Sequence, residues 1–201
     1  MKIRTSKREI HDLLEAWIFI SLAFGILLNG GNLFSLNIIK SVIFASFTVG
    51  SGFLLHELGH KIVAQRYGCF AEFRANIQML VLALIMSFFG FLIAAPGAVM
   101  ISGRVSRAQN GKISIAGPVM NIFLSLFFLI IFFLANSFGL DIIQELASYG
   151  VWVNAFLAFF NMLPFFILDG KKVLIWSKKA YAAVIVPSLL ILFFAVNFIS
   201  I

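Results

Sequence analysis

Apolar runs long enough to cross a membrane dominate this chain. A helix needs about 20 apolar residues to span the hydrocarbon core. Five runs reach roughly that length, at positions 15–35, 41–66, 115–135, 148–168 and 180–199. With 62 % hydrophobic and 11 % charged residues, the chain is too apolar for a soluble globular protein. The sequence therefore predicts an all-α polytopic membrane protein, a single domain over 1–201 with about five or six transmembrane helices.

The basic residues indicate how these spans are oriented rather than nucleic-acid binding. The net charge is +7, but Lys and Arg are dispersed among short loops between the apolar runs. Such residues concentrate on the cytosolic side of a cell membrane, where anionic lipid headgroups are the expected partners. The N-terminus is therefore expected in the cytosol, with the first run as a retained anchor. Its basic cluster comprises Lys2, Arg4, Lys7 and Arg8.

One apolar run carries two histidines and a glutamate, His56, Glu57 and His60. Because four residues turn an α-helix by about 400°, the two histidines project from one face about one turn apart. Neutral imidazoles at this spacing can share one Zn²⁺, and the adjacent carboxylate can take a proton from a water on that ion. The alternative is a pair of core histidines satisfied by hydrogen bonds. Two of the three histidines in the chain belong to this motif, which favours the metal site.

A sixth apolar run, at about 77–101, has basic residues on both flanks, with Arg74 before it and Arg104 and Arg107 after it. A full span would place basic residues outside and invert every later segment. A membrane-embedded hairpin, which enters and leaves on the cytosolic side, removes this conflict. An ordinary sixth span is the alternative that length alone favours.

A short β-hairpin is expected between the histidine helix and the span that starts near position 115. Apolar and polar residues alternate in part over 99–106 and cleanly over 112–115, and Asn110-Gly111 lies between these runs. An Asn-Gly pair in such a place is a strong hairpin signal. A plain cytosolic loop is the competing interpretation.

A hydrolytic zinc site needs a third protein ligand and an open position for water, and Asp169 is the best candidate. Pro164 and Gly170 allow the chain to bend around it, and the lysines that follow place it on the same cytosolic side as His60. An acidic group near the bilayer also needs a partner. Taken alone, Asp-Gly before a lysine pair is more often a turn or a helix cap, and that alternative stays open. His11, in the amphipathic N-terminal stretch, is a poorer candidate.

Asn121 and Asn161 are polar residues within apolar spans, a few turns from the cytosolic side. A hydrogen bond to a neighbouring helix is the commoner role for such residues. Both are also candidates for orienting a substrate backbone or supporting an oxyanion.

Three segments of the chain match the sequence motifs of one known family, and they occur in the same order along the chain. They are His56–His60, Ala116–Asn121 at the start of the next span, and Asn161–Pro164 leading to Leu168–Gly170. On these residues the chain resembles the site-2 protease family of intramembrane metalloproteases, with a catalytic core at about 41–172. Members of that family commonly carry a PDZ or a CBS domain, and neither is expected here.

The resemblance implies one zinc ion bound by His56, His60 and Asp169, with Glu57 as general base and acid and Asn161 as an aid to the substrate or oxyanion. It also implies transmembrane protein substrates, above all membrane-anchored regulatory proteins cut after an earlier trimming outside the cytosol. A metal carrier or permease that uses the same His and Asp residues is the main alternative, and an inactive chaperone that keeps the fold is a third. A permease predicts ligand relays at several depths, whereas the sequence offers one cluster.

Overall fold

Eight α-helices and one pair of β-strands form the part of the chain that the structure describes. It is a computed structural model, and it describes residues 3–33, 35–91 and 96–199. In chain order the elements are α1 (Lys7–Leu28), α2 (Ile38–Ala45), a π-helical turn (Ser46–Gly50), α3 (Ser51–Arg66), β1 (Phe70–Ala75), α4 (Ile77–Ser87), β2 (Gly97–Ser102), α5 (Arg107–Phe138), α6 (Asp141–Asn161), α7 (Asp169–Trp176) and α8 (Lys178–Phe198).

Within the described ranges, five helical segments are long and apolar enough to cross a membrane. They are α1, α5, α6, α8 and the continuous helix Ile38–Arg66, which α2, the π-helical turn and α3 form together. The predicted all-α polytopic fold is confirmed. Helices α1 and α5 begin earlier than the apolar runs because Ser6 and Ser106 cap them, each accepting a main-chain N–H from three residues ahead.

The predicted pair of antiparallel strands is present, but it is assembled from a different partner. Strand β2 overlaps the expected strand at 99–106 and pairs with β1, which precedes the apolar insertion. The two strands therefore come from opposite ends of the insertion and do not form one tight hairpin.

The strand predicted at 112–115 is wrong, because these residues lie in the third spanning helix, α5. Ser106 and Gln109 form a capping box, in which each side chain bonds to the main chain of the other residue. That motif starts a helix, and it carries Asn110-Gly111 into the helical turns that follow. A local helix-start signal here outweighs the Asn-Gly turn signal.

The two ends of the sixth apolar run meet in the structure. Its first half forms α4, whose 11 residues are too few to cross the hydrocarbon core. Ala75 pairs with Gly97 across the strands, and the Asn76 N–H donates to the Pro96 carbonyl at 2.9 Å. The apolar run thus begins and finishes at one end of the small sheet, as the embedded-hairpin interpretation predicts. Positions 92–95 of this run lie outside the described residues.

A buried ion pair joins α1, α3 and β1. The Lys61 Nζ donates to the Glu9 carboxylate at 2.6 Å and to the Thr5 hydroxyl at 2.8 Å. The other Glu9 oxygen accepts the main-chain N–H of Phe73 at 3.0 Å, and both Lys61 and Glu9 are fully buried. Because a buried charge is costly unless it is paired and hydrogen-bonded, this contact fixes α1 against strand β1.

The two outer edges of the small sheet differ in what covers them. On β1, the Phe73 N–H and the Ala71 carbonyl bond to side chains of α1 and α3. Opposed residues in an antiparallel pair alternate between hydrogen-bonded and non-hydrogen-bonded pairs. Since Phe73 and Ala71 bond outward, the residues opposite them, Val99 and Ile101, also direct their main-chain groups outward, to the far edge of β2.

Candidate metal centre

Helices α3 and α7 bring the two histidines and the aspartate to one point. His56 and His60 lie one turn apart on α3, and their Nε2 atoms are 3.0 Å apart. Asp169, the first residue of α7, places Oδ2 3.4 Å from His56 Nε2 and 3.0 Å from His60 Nε2. All three residues are buried. Two imidazole nitrogens and a carboxylate oxygen, which are donor types that zinc prefers, therefore converge in one site.

Hydrogen bonds behind the histidines fix which ring nitrogens face this point. His60 Nδ1 lies 2.8 Å from the Ile113 carbonyl, which can only accept, so Nδ1 carries the proton. His56 Nδ1 lies 2.5 Å from Asn121 Oδ1. The NH₂ group of Asn121 donates to the Gly52 carbonyl at 3.2 Å, so its oxygen is left to accept. In the neutral form of each ring, the Nε2 atom therefore presents its lone pair to Asp169.

Three lone-pair atoms at this spacing repel one another unless a positive charge lies among them. A divalent cation relieves that repulsion, and two histidines with one carboxylate leave a fourth position for water in a tetrahedral zinc site. The residues present thus fit a catalytic zinc ion, and His56, His60 and Asp169 are the side chains that could hold it.

Close packing sets the position of α7. A Cβ atom at Gly170 would lie 2.0 Å from the Met162 carbonyl oxygen, so only glycine lets α7 start against the end of α6. At the other end of α7, the Arg107 guanidinium of α5 donates from Nε to the Ile175 carbonyl at 2.9 Å. Contacts from two neighbouring helices thus hold the helix that presents Asp169.

The surroundings of Asp169 favour its charged form. Burial by itself raises the pKa of this carboxyl, but His60 and His56, when protonated, outweigh that effect and hold the pKa well below its usual range. Lys172, one turn further along α7, places Nζ 3.6 Å from the other carboxylate oxygen. A carboxylate that stays ionised is the form that binds a metal.

Glu57 faces the same site from the next position on α3. It is 8 % exposed, and one of its carboxylate oxygens lies within 4.8 Å of ring nitrogens of His56 and His60. The main chain of Val99 in β2 also interacts with this carboxylate. Glu57 therefore lies between the histidines and the outer edge of β2.

The two asparagines named from the sequence occupy different places. Asn121 is fully buried behind His56, and its amide bonds to His56, Gly52 and Asn154. This placement favours a role in holding His56 over the expected contact with substrate. Asn161 is partly buried, and its NH₂ group donates to the Leu157 carbonyl of its own helix. Its role toward substrate stays a prediction.

Two further residues contribute to the site, although no sequence motif assigned a role to them. Asn154 lies in α6 and bonds to Asn121, and Gly117 in α5 leaves room beside the Nε2 atoms of His56 and His60. An asparagine inside an apolar span is a usable signal, but its partner depends on which helices pack together. A glycine inside a long helix marks a close approach without naming the neighbour.

The chain aligns with named metalloproteases over most of its length. A candidate zinc metalloprotease of Methanocaldococcus jannaschii is 39 % identical over 186 residues, which cover 92 % of each protein. The chain belongs to a family of zinc metalloproteases. A zinc metalloprotease of the same organism is 31 % identical over 63 % of this chain and 32 % of its own length. A candidate zinc metalloprotease of Bacillus subtilis is 25 % identical over 61 % of this chain and 63 % of its own.

No protein-family model and no solved structure matches the chain. The family assignment agrees with the resemblance drawn from the sequence motifs. A zinc metalloprotease needs a metal held by side chains and a carboxylate beside it that can transfer protons. The cluster around His56 and His60 contains donors of the required kind, and Glu57 is a carboxylate beside them.

Proposed function

We propose that this metalloprotease is of the site-2 type and hydrolyses peptide bonds within or near the transmembrane segments of membrane-anchored proteins. One observation carries the proposal. The donor atoms of His56, His60 and Asp169 converge on a helix that is long and apolar enough to span a membrane. A hydrolytic site in that position reaches membrane-embedded substrates directly.

The chemistry divides among four side chains. One zinc ion per chain, held by His56, His60 and Asp169, would supply a Lewis acid that polarises the scissile carbonyl and acidifies the attacking water. Glu57 accepts the proton of that water and later donates it to the leaving amine. The burial of Glu57 keeps bulk water from competing for this proton.

The outer edge of β2 is the proposed binding place for the substrate. A peptide bond inside a helix is shielded, so the substrate must unwind locally and pair as an added strand. The main-chain groups of Val99 and Ile101 point to that edge, and Val99 lies against Glu57. A strand paired there would run past the proton-transferring carboxylate. Substrates with residues that weaken a helix are therefore expected to be cleaved faster.

The basic residues around α7 support an active site on the cytosolic side of the cell membrane. Two lysines lie in the first turn of α7, beside the Asp169 carboxylate at the start of that helix, and two more begin the last spanning helix, α8. Basic residues at the ends of spans favour the cytosolic side and attract anionic lipid headgroups. We propose that the N-terminus lies on that side too. The lysines concerned are Lys171, Lys172, Lys178 and Lys179.

The test uses purified protein in lipid vesicles with a tagged single-span substrate, and it measures product mass and zinc content together. Glu57→Gln should keep its zinc but cleave about 10²- to 10⁴-fold more slowly, the usual contribution of general acid–base catalysis. Glu145→Gln makes the same chemical change at a half-exposed outer position and should cleave normally.

Full cleavage by Glu57→Gln would remove the enzyme assignment from this site. Zinc transport into the vesicles by the wild-type protein, without cleavage of any substrate, would favour the permease alternative instead.

A further inference from the structure

Two buried asparagines form a chain of amide hydrogen bonds that ends on His56. Asn121 of α5 and Asn154 of α6 are both fully buried. The Asn154 Nδ2 donates to the Gly150 carbonyl at 3.0 Å. The Asn121 Nδ2 donates to Asn154 Oδ1 at 3.0 Å, and Asn121 Oδ1 lies 2.5 Å from His56 Nδ1. The bonds thus connect α6 to a metal-facing histidine on α3 through α5.

The far end of this chain fixes the direction of every bond in it. The Gly150 carbonyl can only accept a hydrogen bond, so the NH₂ group of Asn154 faces it and the Asn154 oxygen faces Asn121. Asn121 must then turn its NH₂ group toward Asn154 and its oxygen toward His56. His56 is left with the donor role at Nδ1, which leaves the Nε2 lone pair for a metal.

The Asn121 amide must be held in one orientation, because its oxygen accepts hydrogen bonds and its NH₂ group donates them. A histidine that binds a metal usually donates its other ring N–H to a carboxylate or a main-chain carbonyl. These groups can only accept a hydrogen bond, whereas an amide that rotates by 180° replaces its accepting oxygen with a donating NH₂ group. If Asn121 turned over, its NH₂ group would face His56 and would favour the tautomer whose Nε2 is protonated. The oxygens of Asn154 and Gly52, at 3.0 and 3.2 Å from Asn121 Nδ2, oppose that rotation.

We propose that Asn154 is a positioning residue, which sets the tautomer and ring orientation of His56 by holding the Asn121 amide. The inference rests on the zinc site proposed above. It assigns a role to α6, which supplies none of the three side chains proposed as zinc ligands.

A substitution at Gly52 can disturb the contact between Asn154 and Asn121 without changing either asparagine. A Cβ atom at Gly52 would lie 2.3 Å from Asn154 Oδ1. Gly52→Ala therefore displaces Asn154 while every polar side chain stays in the protein. Alanine is also the better helix former, so a loss in this variant does not come from a weakened α3.

The experiment measures zinc affinity and the His56 ring together. Protein with ¹⁵N-labelled histidine contains three histidines, so the Nδ1–H signal of each can be followed in the zinc-loaded state. In Asn154→Leu and Gly52→Ala, we expect the His56 Nδ1–H to shift and to exchange faster with solvent. The His60 signal, held by the Ile113 carbonyl, should not change. Zinc affinity, measured by chelator competition, should fall about 10-fold. This is the lower end of the loss seen when a residue that hydrogen-bonds to a metal ligand is removed.

Two matched variants separate this role from general packing. Asn154→Asp, in its protonated form, can still accept from Asn121 and donate to Gly150, so it should keep both the His56 signal and the zinc affinity. Asn197→Leu removes an amide that donates to the Phe193 carbonyl of its own helix, and it should leave His56 unchanged.

At least one of the variants Asn154→Leu and Gly52→Ala must fold for the test to be read. If a folded variant keeps both the wild-type His56 signal and the wild-type zinc affinity, the proposal is overturned. Equal losses in Asn154→Asp and Asn154→Leu overturn it too. Wild-type protein that binds no zinc would instead remove the proposed function on which the inference rests.

Discussion

Gly117 of α5 lies directly against His60 of α3 at the nitrogen that faces the metal site. A Cβ atom at Gly117 would be 2.5 Å from His60 Nε2 and 2.6 Å from His56 Nε2. The space that a side chain would occupy is the space beside both lone pairs. The absence of a side chain at this position of α5 therefore keeps the site open to an ion.

Gly117→Ala should abolish tight zinc binding while the fold persists. The added methyl group pushes the two imidazoles apart, and we expect a loss of at least about 100-fold in zinc affinity, the upper end of the effect for an outer partner of a ligand. The unfolding free energy should stay within about 1 kcal/mol, because alanine favours a helix over glycine by that amount. Chelator competition and denaturing-detergent titration measure the two quantities.

Ser125→Ala is the control on the same helix. It removes the hydrogen bond to the Val151 carbonyl at 2.8 Å, which should cost about 1 kcal/mol of stability and no zinc affinity. If Gly117→Ala retained wild-type zinc affinity, the metal would have to lie elsewhere.

Asp169→Asn tests the third ligand. The amide oxygen can still approach the histidines, but it lacks the negative charge that a divalent ion favours. Loss of a residue that only hydrogen-bonds to a metal ligand lowers metal affinity roughly 10- to 100-fold. Because Asp169 is itself a proposed ligand, zinc affinity should fall by more than that. Metal analysis after dialysis against a chelator gives the result. Asp141→Asn, at the exposed start of α6, should keep its zinc, and an equal zinc content in both variants would exclude Asp169 as a ligand.

Glu9→Leu should destabilise the protein strongly, because it leaves the buried Lys61 ammonium without its counter-charge. Removing one partner of a buried ion pair costs about 3–5 kcal/mol. The double variant Glu9→Leu with Lys61→Met should recover much of this loss, since no unpaired charge remains. Unfolding titrations of the three proteins test this.

The ion pair between Lys40 and Glu145 provides the comparison. Its side chains are 44 % and 42 % exposed, and Glu145→Leu should cost no more than about 1 kcal/mol. Equal effects of Glu9→Leu and Glu145→Leu would show that burial of the first pair does not matter for stability.

Ile101→Pro should impair cleavage without loss of zinc. Proline removes one N–H from the outer edge of β2, and the Ile101 N–H is not used to pair with β1. Proline is tolerated on edge strands, so the β1–β2 pair should survive. We expect a fall in kcat/KM for the tagged substrate, whereas Ile101→Val, which keeps the N–H, should cleave normally. Unimpaired cleavage by a folded Ile101→Pro variant would exclude strand addition at this edge.

Local patterns predicted a large share of this structure. The spanning helices follow from the length of the apolar runs, and the position of His56 and His60 on one helix face follows from their spacing. The meeting of the two ends of the 77–101 run followed from charge, because basic residues flank the run on both sides. The strand at 112–115 was wrong for an equally local reason, since a capping box at Ser106 competes with an Asn-Gly pair a few residues later.

The amino-acid sequence by itself determined which segments can enter a membrane and which side chains can bind a metal, because burial and coordination depend on residue type and on spacing within one helix. Only the tertiary structure decided that Asp169 meets His60, that Asn121 bonds to both Asn154 and His56, and that β1 pairs with β2. Those contacts join segments distant along the chain. They depend on which helices and strands pack together, and no local pattern encodes that.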